Sequence, residues 1–161
     1  MKGSAARMDL KKITERLWNL YFIGRDDELL ELQNYFAPDC VVIGTGKHEI
    51  YHSAHDFFCA MNEEFQERRE IQFRFQDFWC KQKDISPEIS MVYGGLFIWW
   101  ESDDKSISIN MDSRYTMILR TAGKLLAFTN FSQIRSGKKE NIIQKLPLSR
   151  RVKGRNRLIP F

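Results

Sequence analysis

Apolar and polar residues alternate most regularly between Ile107 and Leu119. The odd-numbered positions of this stretch are apolar or aromatic except for Ser113, whereas the even-numbered positions from 108 to 116 are all polar or charged. A period of two residues predicts a β-strand with one buried face and one polar face. Gly123 then supplies a turn, and a second run, rich in Phe, Leu and Thr, covers residues 124–134. We therefore predict an antiparallel hairpin in this part of the chain.

Apolar residues recur at helical spacing in the first part of the chain. Leucine and isoleucine residues three or four positions apart predict an amphipathic helix over residues 9–23. Acidic residues open a second, shorter helix that runs to Phe36 and that Pro38 is expected to end. Ser53, with Asp56 three residues later, forms a capping-box-like start for a third helix. An apolar stripe on that helix should cover a sheet, and it consists of Phe57, Met61 and Phe65.

Longer strand-like runs fill the rest of the chain. A small hairpin is expected within residues 40–51, and four long strands follow the third helix. Because helices precede a series of consecutive strands, the pattern predicts an α+β fold and not a parallel βαβ sheet. Gly94 and Gly95, inside the second long strand, predict a bulge or bend of the kind that curls a sheet. The four long strands are predicted at residues 71–81, 89–101, 106–121 and 124–134.

The composition fits one compact domain. Of the 161 residues, 43% are hydrophobic and 13% are aromatic, which suffices for a core that needs no disulfide or metal. The three cysteines, Cys40, Cys59 and Cys80, are odd in number and far apart, which favours reduced thiols and a cytoplasmic protein. The most apolar stretch, residues 91–100, is too short to span a bilayer, so we expect no membrane association.

The net charge of +4 is unevenly distributed. Residues 135–161 carry nine Lys or Arg against the single acid Glu140, so the basic character belongs to the end of the chain. Such a tail is either a solvated extension or a contact for nucleic acid or another acidic surface. We predict a flexible leader at residues 1–8, one domain at residues 9–135 and a basic tail or linker at residues 136–161.

A resemblance to the nuclear transport factor 2-like, or SnoaL-like, superfamily is carried by the order of these elements and by the sequence INMDSRYT at residues 109–116. It covers roughly residues 9–132 and points to small bacterial members that sit beside a signalling or DNA-binding domain. The resemblance implies a cone-shaped α+β fold, in which a strongly curved antiparallel sheet packs against three N-terminal helices. It also implies a pocket inside the cone and a homodimer through the sheet.

Enzymatic members of this superfamily commonly place an Asp, sometimes with a His or Tyr, inside the cone to move a proton. Many carry His in the final strand, where this chain has Asn130. An amide donates and accepts hydrogen bonds but does not exchange protons near neutral pH. The sequence therefore favours binding or assembly over catalysis, with Asp112 as the catalytic candidate if the protein is an enzyme.

Asp112 and Arg114 lie two residues apart and so share one face of a strand. If this face lines the cone, Arg114 would hold a carboxylate or phosphate, Asn130 would add an amide, and Tyr93 and Trp99 would form aromatic walls around a small apolar or anionic ligand. The opposite apolar face would then need a partner, which predicts a homodimer.

The alternative is that the polar face of this strand is simply solvated. Asp112, Arg114 and Thr116 would then point away from the helices, and the odd-numbered apolar residues would pack against them. Both interpretations stay open at the level of sequence. The three histidines, His48, His52 and His55, are not spaced to share one face, so we expect neither a metal nor a cofactor.

The final ten residues, VKGRNRLIPF, resemble the opening strand of a LytTR-type DNA-binding domain. This resemblance implies that the native protein continues past Phe161 and that nucleic acid is bound through a downstream domain. The favoured hypothesis is a non-catalytic ligand-binding or dimerisation domain, the sensory part of a bacterial signalling or transcription-regulatory protein. The alternative is an isomerase-like or cyclase-like enzyme that uses Asp112, together with Tyr93 or Tyr115.

Overall fold

A computed structural model describes residues 9–23, 27–67, 71–102 and 108–136. These ranges hold three helices and six strands. The predicted leader, nearly all of the basic tail and the LytTR-like segment lie outside the described residues. In chain order the elements are α1 (Leu10–Ile23), α2 (Asp27–Tyr35), β1 (Phe36–Ile43), β2 (Ile50–Tyr51), α3 (Ala54–Glu67), β3 (Ile71–Asp84), β4 (Ile89–Ser102), β5 (Ser108–Arg120) and β6 (Leu125–Ser136).

Two helices begin at side-chain caps. The Asp9 carboxylate accepts hydrogen bonds from the backbone N–H groups of Lys11 and Lys12, at 3.1 and 3.3 Å, which satisfies amides at the start of α1. The Ser53 hydroxyl accepts a hydrogen bond of 3.1 Å from the backbone N–H of Asp56 at the start of α3. The predicted third helix is confirmed, and its apolar stripe is buried. Within the described residues, every helix is too short or too polar to cross a bilayer.

The six strands form one sheet in the order β2-β1-β6-β5-β4-β3. Strands β3 to β6 pair antiparallel with their sequence neighbours, as predicted. Strand β1 pairs antiparallel with β2 but parallel with β6, with Val42 opposite Phe128. The α+β fold is confirmed, and the predicted antiparallel sheet is in fact mixed. A pair of strands so distant in sequence is not joined by a tight turn, so no hairpin geometry dictates its direction.

Pro38 lies inside β1 and not at the end of α2 as predicted. Helix α2 already ends at Tyr35, and β1 starts at Phe36. The pairing of β1 with β6 shifts register between Phe36 and Val41, the segment that contains Pro38. A proline has no N–H to donate to a ladder, so an irregular part of a strand is where it is tolerated.

Aromatic side chains dominate the core between the helices and the sheet. The indole of Trp18 on α1 stacks on Phe22 with ring centroids 5.4 Å apart, and it meets Tyr115 and Phe128 edge-on at 5.2 and 5.4 Å. Such edge-to-face and offset contacts are favourable beyond the area they bury. The largest fully buried side chains are Trp18, Phe57, Leu20, Leu32, Met61, Ile98, Ile109, Met111, Met117 and Leu119.

A β-bulge interrupts β3 between Gln76 and Trp79, where Asp77 adopts a positive φ of 53°. The predicted irregularity near Gly94 and Gly95 is therefore in the opposing strand, because the pairing of β4 with β5 is continuous there. A Cβ on Gly94 would lie 2.0 Å from the carbonyl oxygen of Trp79. Glycine is thus required in β4 to let the bulged strand approach.

Candidate functional site

The sheet has two faces of different character. We call the face that packs against the helices the inner face and the opposite one the outer face. The odd-numbered residues of β5 from 109 to 119 are all buried, whereas the even-numbered ones are half-buried or exposed. Of the two interpretations of the Ile107–Leu119 pattern, the structure thus favours the second, in which the apolar residues pack on the helices.

Asp112 and Arg114 lie on the outer face. Asp112 is half-buried and is paired across the sheet with Phe97 on β4 and Gln133 on β6. Arg114 is exposed, and its guanidinium carbon lies 5.8 Å from the ring centroid of Phe131, a cation–π contact. The polar face of β5 therefore points away from the helices and does not line the cone. Because the apolar face packs on the helices, the argument for a partner that covers an outward apolar face does not apply to this sheet.

Tyr93 and Trp99 share the outer face with these residues. Tyr93 is opposite Thr116 and 36% exposed, and Trp99 is opposite Asn110. The guanidinium carbon of Arg74 lies 5.3 Å from the Trp99 ring centroid. The structure therefore brings four of the five predicted site residues onto one face of the sheet.

Asn130 is separated from the other four, on the inner face. It is opposite Tyr115 in the hairpin and only 5% exposed. Its Nδ2 donates a hydrogen bond of 3.2 Å to the Ser132 hydroxyl, while its Oδ1 has no hydrogen-bond partner among the described residues. Trp18 Nε1 on α1 is also buried and lacks a described partner. Burial raises the pKa of Tyr115, whose hydroxyl donates to the backbone oxygen of Trp79 at 3.4 Å.

The sequence missed Trp79 and Phe131 as outer-face residues. Trp79 is 48% exposed, and Phe131 is 49% exposed. Simple alternation along β3 would put Trp79 with the inward-facing Phe73 and Phe75, but the bulge at Asp77 adds one residue and reverses the alternation. Phe131 is on the outer face because the register of the hairpin pairs it with Arg114.

A small cavity lies inside the cone, between α1, α2 and the sheet. Its volume is about 10 Å³, roughly the space needed by one water molecule. The cavity is apolar and is lined by Leu17, Trp18, Tyr21, Leu32, Phe36, Met117, Leu125 and Phe128. Within the described ranges, no three His, Cys, Asp or Glu side chains converge on a possible metal position.

Comparison with known proteins identifies the fold. No family model and no curated protein matches the sequence. Among solved structures, a ketosteroid isomerase-like protein from Erwinia carotovora atroseptica is similar with a TM-score of 0.58 at 8% identity, over 79% of this chain and 94% of that one. An NTF2-like protein from Exiguobacterium sp. gives a TM-score of 0.53 at 12% identity, over 75% and 98% of the two chains. The chain has the nuclear transport factor 2-like fold.

A third structure extends the comparison to an enzyme with the same fold. A type 2 hexachlorocyclohexane dehydrochlorinase is similar with a TM-score of 0.55 at 15% identity, over 81% of this chain and 95% of that one. At these identities the similarity concerns the fold. The predicted resemblance to the nuclear transport factor 2-like fold is confirmed.

Proposed function

We propose that this chain is a non-catalytic homodimerisation domain, in which the outer face of the sheet packs on the outer face of a second copy. The observation that carries the proposal is the exposure of three large aromatic side chains on this face. Trp79, Tyr93 and Phe131 are 48%, 36% and 49% exposed. Exposed aromatic groups that share one surface gain free energy when a partner removes them from water.

The pattern of charges on the outer face suits a symmetric pair. Asp112 and Arg114 carry opposite charges two residues apart on the same strand. In a two-fold symmetric interface, residue i of one copy meets residue j of the other and the reverse contact is made as well. Antiparallel stacking of β5 on β5 would therefore let Asp112 of each copy approach Arg114 of the other.

The cavity between α1, α2 and the sheet favours an assembly role over a ligand-binding role. Ligand pockets are usually about 300–1,000 Å³ in volume. This cavity is about 10 Å³ and its lining is apolar. We propose that the aromatic side chains around it serve as a rigid core behind the dimer face.

The wider role that we propose is that of the assembly and sensory part of a bacterial regulatory protein in the cytoplasm. The uneven charge supports it, because nine of the chain's basic residues follow residue 134. Weak binding of the chain to DNA, falling steeply as salt increases, is the expected result if the tail is a nucleic-acid contact. Binding that is insensitive to salt would contradict that role.

Sedimentation equilibrium of Phe131→Glu tests the dimer. The wild-type chain should be a dimer, and the variant should be a monomer, because the substitution removes an exposed aromatic ring from the interface and introduces a carboxylate that must lose its hydration there. Leu30→Glu is the matched control, since Leu30 is 58% exposed on α2, away from the sheet. A wild-type chain that is monomeric at every concentration, or a variant that dimerises as well as Leu30→Glu does, would refute the proposal.

An enzyme that uses Asp112 is the second candidate, and the fold shared with a dehydrochlorinase favours it. Its residues are poorly placed, however. Tyr115 is on the inner face and Asp112 on the outer face, so they do not meet the same substrate. Tyr93 shares the outer face, but it is paired with Thr116, four residues along β5 from Asp112. This separation along the strand is roughly 13 Å. If turnover of a carbonyl or halogenated substrate is found and is lost in Asp112→Asn, this second candidate replaces the first.

A further inference from the structure

Cys59 and His55 form a thiol–imidazole pair on the exposed side of α3. The Sγ atom of Cys59 lies 3.5 Å from Nε2 and 4.0 Å from Nδ1 of His55. The two residues are four positions apart, the spacing that puts side chains next to each other on one face of a helix. The imidazole is therefore within reach to accept the thiol proton, which produces the nucleophilic thiolate.

A cleft opens beside this pair, away from both faces of the sheet. It has a volume of about 500 Å³ and lies between α2 and α3. Gln33 of α2 and Asn62 of α3 contribute amide side chains to its walls, and Phe58 contributes an aromatic surface. The cleft is open to solvent, and amides that both donate and accept hydrogen bonds suit a peptide-like ligand lying along it.

The other two thiols are in unreactive surroundings. Cys40 is buried, and burial raises the pKa of its thiol to about 12, with a smaller contribution from the Asp39 carboxylate. Cys80 is half-buried, and burial raises the pKa of its thiol as well. Since the thiolate is the reacting species, both residues should react slowly. Cys59 is exposed, so the reactivity of the three thiols can be compared within one chain.

We propose that Cys59 and His55 form a thiol-modification site for a low-molecular-weight peptidic disulfide, which binds in the cleft between α2 and α3. His55 takes the proton of Cys59, and the thiolate attacks one sulfur of the disulfide. A new S–S bond joins Cys59 to that half of the ligand. The other half leaves as a thiolate and receives the proton from the His55 imidazolium. The disulfide is the only oxidant that this step consumes.

Exposure to oxidised glutathione at neutral pH, followed by peptide mapping, tests the assignment. Cys59 should form the mixed disulfide first, ahead of Cys40 and Cys80. His55→Gln should slow the reaction at Cys59 on the order of tenfold, below the full contribution of a well-positioned base. His52→Gln is the matched control, because His52 is an exposed histidine just before α3 and should leave the rate unchanged.

A second pair of variants tests the cleft itself. Gln33→Ala and Asn62→Ala should slow the reaction with oxidised glutathione but not with 2-hydroxyethyl disulfide, which has no peptide groups to bind. Equal effects on both disulfides would show that the cleft is not a binding site and would overturn the ligand assignment. A Cys59 rate unchanged by His55→Gln, in a variant whose circular dichroism matches that of the wild type, would overturn the role of the pair.

Discussion

The inner and outer faces of the sheet are built from the same strands but are stabilised differently. On the inner face, Met111, Tyr115 and Met117 are almost fully buried against the helices. On the outer face, Asp112, Arg114 and Thr116 alternate with them and keep contact with water. Cation–π pairs and exposed aromatic rings replace close packing there. The comparison teaches that an aromatic residue in this sheet stabilises the monomer only if its strand position directs it inward.

The largest difference in stability between the two faces is expected for two tryptophans, Trp18 and Trp79. Trp18→Ala should cost about 3–5 kcal/mol in the free energy of unfolding, because it removes a buried indole that contacts Phe22, Tyr115 and Phe128. Trp79→Ala should cost the monomer about 1 kcal/mol, because its side chain is 48% exposed. Urea denaturation of both variants under monomeric conditions measures the difference. Equal losses would mean that the outer face is as important to the monomer as the core.

Substitutions of the two adjacent glycines of β4 should destabilise the fold by intermediate amounts. Gly94→Ala should destabilise by about 3 kcal/mol, since its Cβ would lie 2.0 Å from a backbone oxygen of the bulged strand. Gly95→Ala should cost about 1 kcal/mol, because its nearest contact is the Trp79 side chain at 2.9 Å, which can move outward. Thermal unfolding of the two variants ranks them. If Gly95→Ala is the more destabilising, the bulge is not what requires glycine.

The smallest effect is expected at Asn130. Its Oδ1 has no described partner, and a buried acceptor left unpaired costs about 1–3 kcal/mol. Asn130→Leu should therefore be neutral or stabilise the fold by about 1 kcal/mol, despite the lost hydrogen bond to Ser132. Thr129→Val, on the outer face, should change stability very little and serves as the control. A clear loss of stability in Asn130→Leu would indicate that water or a ligand satisfies the amide.

The sequence was sufficient for most elements because their signals are local. The Ser53 cap, the stripe on α3 and the alternation in β5 each depend on residues a few positions apart. The alternation even identified the correct pair of faces in β5. The alternation could not show which face packs against the helices. The same polar residues would fit either a face that lines a pocket or a face that is exposed to water.

The rest depended on contacts between distant residues. The bulge at Asp77 has no clear local signal, yet it moves Trp79 from the inner to the outer face. The parallel pairing of β1 with β6 brings together segments from opposite ends of the domain. Tyr93, Trp99, Asp112 and Arg114 share a face because they lie on two neighbouring strands. Asn130 is on the other face because the register of the hairpin pairs it with Tyr115.

The parallel contact between β1 and β6 is expected to form late in folding. The backbone N–H of Ser132 donates to the Thr45 hydroxyl at 2.9 Å, and these residues are 87 positions apart in the chain. The Lys124 ammonium donates to the backbone oxygen of Asn34 across 90 positions. Closing loops of this length costs entropy before any contact compensates for it. The four antiparallel strands can form early through short turns, and the attachment of β1 to their edge should be the slow step.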